Sequence, residues 1–152
     1  MRGIIAAIAL AAAVTGTASA AAPDAKIDAI RMQLFYQTSG TLSADMTPTP
    51  DGWANTVIGE GRAREPADDM IVSVVLSSEA EAVSLDPPVT LIVRGENNMV
   101  LAKRVFESVY LRHHRVVLPL FVTGIGCVGP VIAEASFAGQ KTVSKVSLLC
   151  NE

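Results

Sequence analysis

From Ile30 to Gln37 the chain alternates, with Ile30, Met32, Leu34 and Tyr36 on one set of positions and Arg31, Gln33, Phe35 and Gln37 on the other. A period of two predicts a strand with one face in a core and one in water. Ser39-Gly40 ends it, and Leu42–Met46 reads as a second short strand. The stretch Thr47-Pro48-Thr49-Pro50-Asp51-Gly52 is loop by composition, because proline removes donors and Asp-Gly favours a turn. That loop delivers Trp53 into a strand, Trp53–Ile58, which Gly59 and Gly61 break. A charged loop from Arg62 to Asp69 follows.

Met70–Leu76 is dense in β-branched residues, as a central strand requires. Ser77–Ala82 reads as a single helical turn. Asp86-Pro87-Pro88 opens the strand Val89–Arg94, and Gly95-Glu96-Asn97-Asn98 turns the chain back into Met99–Phe106, a clear hairpin. Val109–Val122 reads as one long strand interrupted by Pro119, which cannot donate to a ladder and so marks an edge or a bulge.

The closing segment yields a second hairpin. Taking Gly139-Gln140 as its two-residue turn places Ala138 opposite Lys141, Ala133 opposite Val146 and Val131 opposite Leu148, with Glu134 paired to Lys145 on the other face. Cys127 and Cys150, the only cysteines, then lie diagonally on the apolar face. A disulfide between them requires the chain to bend near Gly126, Gly129 and Pro130.

About seven to nine short strands with turn signals between them indicate an all-β fold, an antiparallel β-sandwich of immunoglobulin-like kind; a small closed barrel is the alternative. The first residues stand apart from this pattern. Arg2, an apolar run from Ile4 to Val14 and the small residues Ala18-Ser19-Ala20 have the layout of a secretory signal peptide, residues 1–20, cut before Ala21. Residues 21–152 then form one β-sandwich domain, exported to the periplasm or the exterior, where a Cys127–Cys150 disulfide is chemically permitted. The apolar run is too short to span a bilayer comfortably, so the mature chain is expected to carry no transmembrane segment.

Loss of Arg2 with the leader makes the formal charge of −3 one unit more negative, and an acidic chain gives no reason to expect nucleic acid as partner. The charge is unevenly spread, with seven acids and two arginines from Glu60 to Asp86 but five basic residues and two acids from Arg94 to Arg115. Lys103, Arg104, Arg112 and Arg115 therefore form a candidate basic surface for an envelope protein or polymer.

Candidate chemistry is sparse. Gly124-Ile125-Gly126-Cys127-Val128-Gly129 matches a dinucleotide-binding glycine pattern, but Pro130 and an alternating strand follow where a helix is needed. His113-His114 on a strand would point to opposite faces, so both rings cannot easily reach one metal. Met32, Met46, Met70 and Met99 are scattered singly, and no metal or cofactor is expected. No nucleophile elbow is present. Glu60, between two glycines and near Trp53, is the one acid in a site-like setting. The sequence thus favours a non-catalytic envelope-binding module using the Trp53 loop or the Pro119 edge. The alternative is a small exported enzyme or ligand carrier with a pocket near Trp53 and Glu60.

Overall fold

The computed structural model describes residues 25–47, 53–55, 65–126 and 129–149. Within them the chain runs β1 Ala25–Tyr36, β2 Thr41–Leu42, β3 Trp53–Asn55, β4 Asp69–Ser78, β5 Ala82–Leu85, β6 Val89–Arg94, β7 Val100–Phe106, β8 Val109–Arg112, β9 Arg115–Thr123, β10 Pro130–Phe137 and β11 Gln140–Leu149. A 3-10 turn, Glu96–Asn98, joins β6 to β7. The strands form two sheets, ordered β2-β1-β4-β9-β8-β5 and β3-β11-β10-β6-β7. Neighbours pair antiparallel throughout, except that β3 runs parallel to β11. Among the described residues neither sheet closes on itself, and side chains from both meet in one core, as in a sandwich.

Alternation builds that core. Ile30, Met32, Leu34 and Tyr36 are all buried, as their period demands. β4 is paired on both sides, and Val74 and Val75, on opposite faces, are each fully buried. From the second sheet come Leu91, Val93, Val131, Ala135 and Phe137. Each large apolar side chain removed from water in this way contributes about 1.5–3 kcal/mol before the entropy cost of ordering it.

Three local expectations are corrected. Ser77–Ala82 forms no helical turn, because β4 extends to Ser78 and the chain bends into β5. Val109–Val122 is not one strand but the hairpin β8–β9, turning through His113 and His114 at φ values of 52° and 64°. This left-handed pair usually draws Gly or Asn, so two histidines hid the turn. The closing hairpin turns at Ala138-Gly139, with φ 48° and 79°, and pairs Phe137 with Gln140, Ala133 with Ser144, Val131 with Val146 and Glu134 with Val143. The register therefore differs by two residues from the sequence expectation. The inward and outward sets are unchanged, because side chains alternate with a period of two. Glu134 bonds Lys141 at 2.9 Å rather than Lys145, which lies opposite Ile132.

A polar clasp joins the two ends of the fold. The Gln140 Oε1 accepts a hydrogen bond from the Ile27 N–H and its Nε2 donates to the Ala25 carbonyl, both at 3.0 Å. A side-chain amide in the last hairpin thus acts as a strand partner for the start of β1.

Candidate interaction surface

The outer face of the six-stranded sheet is read from its register. Gln33, Ile71 and Phe121 form one cross-strand row, Arg31, Ser73 and Pro119 the next, and Ala29, Val75 and Val117 a third. Phe35 packs edge-on against Phe121 with ring centroids 5.6 Å apart. Phe121, Val117 and, on β8, Tyr110 are 47%, 46% and 53% exposed, and Leu42 beside Phe35 is 44% exposed. The face that alternation assigns to water thus carries a stripe of aromatic and aliphatic groups.

Pro119 lies on this stripe. Opposite Ser73 of β4, it sits in the body of the sheet by strand order, yet β8 is registered with β9 only at Arg112–Arg115. Beyond that pair no ladder partner is registered on the second side of β9 among the described residues, although β7 packs close to it, so the edge reading of Pro119 holds for backbone pairing. The Pro119 carbonyl accepts a hydrogen bond from Arg104 Nη1 at 3.1 Å, and the Arg104 guanidinium lies 4.6 Å from the Phe106 ring centroid. Where β8 departs, an open cleft of about 360 Å³ forms, lined by Arg104, Phe106, Glu107, Ser108, Tyr110 and Leu118 among others.

The four basic candidates do not form one patch. Arg112 and Arg115 end the β8–β9 turn on the outer face of the six-stranded sheet, with Arg112 stacked 5.3 Å from the Tyr110 ring centroid. Arg104 lies opposite Leu91, on the core side of β7, where it bridges to β9. Lys103 lies opposite Ile92, on the outer face of the other sheet. Strand alternation separates what sequence proximity had grouped.

Lys103 instead joins cations that the sequence reading had not grouped with it. Three rows cross the outer face of the five-stranded sheet: Val100–Arg94–Ile132–Lys145, Lys103–Ile92–Glu134–Val143 and Val105–Thr90–Ser136–Lys141. The outward phase of each strand was the signal available for finding them, but the cations come from three separate segments and only the pairing assembles them.

The other sequence candidates are more limited. Trp53 opens β3, and nothing of its side chain is described; Glu60, Cys127 and Cys150 lie outside the described residues. His113 and His114 occupy a turn, not a strand, so the opposite-face argument does not apply to them; the His114 Nδ1 donates to the Ser78 carbonyl at 3.3 Å. Among the described residues no group of three or more His, Cys, Asp or Glu side chains is placed to hold a metal ion. Met32, Met46 and Met70 are buried in the core, whereas Met99 is exposed. In the glycine-rich segment, a Cβ on Gly126 would lie 2.8 Å from Asp68 Oδ1, so this glycine makes room for a carboxylate. No helix among the described residues is long and apolar enough to cross a membrane.

No family model matches the chain, and no curated protein matches it. Among solved structures, the Pseudomonas fluorescens alkylpurine DNA glycosylase AlkC bound to DNA containing an abasic site analog aligns with 84% of this chain at 14% identity and a TM-score of 0.43. The chain spans 31% of that protein's length.

Proposed function

We propose that this protein is an exported, non-catalytic, immunoglobulin-like β-sandwich that binds a protein of the cell envelope through the outer face of its six-stranded sheet. The observation that carries the reading is the stripe of Phe121, Val117 and Tyr110 around Pro119, each about half exposed where polar residues are the norm. Tyrosine and arginine are favoured where protein interfaces concentrate their binding energy, and Arg112 stacked on Tyr110 borders the stripe. Export rests on the leader-like residues 1–20.

The immunoglobulin-like assignment rests on strand order. β1, β4, β9 and β8 follow each other as strands A, B, E and D of a constant-type immunoglobulin sheet do, and β11, β10 and β6 as G, F and C. The disulfide rests on register. Partner numbers in the β10–β11 hairpin sum to a constant, and Cys127 with Cys150 satisfies the same sum. Carried on to Cys127 and Cys150, which lie outside the described residues, that register would oppose them directly rather than diagonally, and directly opposed Cα atoms lie about 4.5–5.5 Å apart, within the range a disulfide bridges. Exported protein measured without reductant should weigh two hydrogens less than the reduced chain.

The functional reading is tested by retention on native envelope material, with Phe121→Glu and the double variant Arg112→Glu/Arg115→Glu compared with wild type. Loss of an interface anchor weakens binding by about thirtyfold or more. Loss of retention in both variants, with unchanged circular dichroism, supports the proposal. Retention equal to wild type in both sinks it, and loss in the charge variant alone points to a polymer.

A further inference from the structure

We infer that the outer face of the five-stranded sheet is a docking surface for an anionic phospholipid bilayer. Arg94, Lys103, Lys141 and Lys145 all project from this face, against one acid among the described residues of its strands, Glu134. The chain as a whole carries a formal charge of −3, so positive charge is concentrated here against the overall balance. Glu134 is bonded to Lys141 at 2.9 Å and lies 3.9 Å from Arg94. Lys103 and Lys145 form no ion pair with the described residues and are exposed.

Geometry turns these charges into a common surface. Neighbouring strands lie about 4.8 Å apart, so the four strands that carry the rows span roughly 15 Å. That is about two Debye lengths at physiological salt, and the cations act on an opposing charged plane together. Between them Val100, Val105 and Val143 are 54%, 42% and 53% exposed, aliphatic groups that reach headgroup depth without a pocket. The composition favours lipid over protein. Lysine and small aliphatic residues replace the tyrosine, tryptophan and free arginine that anchor protein interfaces, and lysine is depleted from such interfaces. Clustered lysines are attracted to anionic headgroups, and their long stems keep the charge at the surface while the methylenes cover apolar area. This inference is independent of the partner proposed for the opposite face.

The test is sedimentation of the mature protein with vesicles of phosphatidylglycerol and phosphatidylcholine, beside vesicles of phosphatidylcholine alone. Binding is expected only to the anionic vesicles, and it should fall steeply between low and physiological salt. Neutralising one lysine should weaken partitioning about fivefold, and Lys103→Ala/Lys145→Ala together about twenty-five-fold. Glu134→Gln should strengthen it by a similar single step, a gain that damage to the fold cannot produce. Arg112→Glu/Arg115→Glu, on the other sheet, should leave it unchanged. Failure to bind anionic vesicles, equal binding to neutral ones, or loss in the Arg112/Arg115 variant as great as in the lysine variant would overturn the inference.

Discussion

Ala138 is the residue whose backbone contradicts its side chain. It opens the Ala138-Gly139 turn at φ 48°, where a Cβ costs roughly 1–2 kcal/mol, whereas Gly139 at φ 79° bears no such cost. Asn-Gly is the preferred pair for this turn, so Ala138→Asn should stabilise the protein by about 0.5–1 kcal/mol, read as a higher denaturant midpoint with an unchanged slope. A lower midpoint would contradict the turn assignment. The same chemistry explains why the register was only half legible. The sequence presents one glycine and two ways to place it, and both keep Val131 and Ala133 inward, so hydrophobic pattern alone cannot choose. Turn geometry chooses, and it requires a left-handed alanine that no propensity scale favours. At His113-His114 the turn was invisible for the same reason.

At the scale of elements, alternation served well where a strand has one wet face and poorly where pairing decides. β6 and most of β1 were readable because burial follows period two along them, and β4 because its run of β-branched residues marks a strand buried on both faces. The grouping of Lys103 with Arg104 was not, because neighbours in a strand project to opposite faces and a patch is assembled across strands. The Gln140 clasp is another element-scale feature with no sequence signature, since its partners lie 113 and 115 residues away. Gln140→Ala removes two hydrogen bonds and should cost about 1–3 kcal/mol, most of it local to the start of β1. Hydrogen exchange should show the Ile27 amide losing protection while those of β4 keep theirs. Equal loss in both strands would mean that the clasp holds the whole sandwich, and no loss would mean that it holds nothing.

For the whole molecule the decisive fact is the shared core. Phe137 comes from the five-stranded sheet, is 1% exposed, and belongs to the same cluster as Met32, Met70 and Leu120 of the other sheet. Phe137→Ala should cost about 3–5 kcal/mol, a large share of the roughly 5–15 kcal/mol that holds a domain together. The loss should appear as one transition, with near- and far-ultraviolet circular dichroism giving a common midpoint before and after substitution. Separate midpoints would show the sheets melting independently. The two-layer fold was legible because strand periodicity needs a second layer to bury against. The outward stripe was less legible, because Phe35, Ile71 and Phe121 occupy positions at which any residue would preserve the alternation.

The Arg104–Pro119 contact bears on how such a stripe can remain exposed. Beyond Arg115 no ladder partner is registered on the side of β9 turned away from β4 among the described residues, and exposed apolar strands with an unpaired side are where proteins self-associate. At Pro119 the donor is chemically absent and the acceptor is occupied by Arg104. A second chain approaching there finds no backbone hydrogen bonds to make at the middle of the segment, and can recognise the surface only through its side chains. Phe121 and Val117 can therefore stay exposed while copies of the chain, at high local concentration, gain little by adding strand to strand.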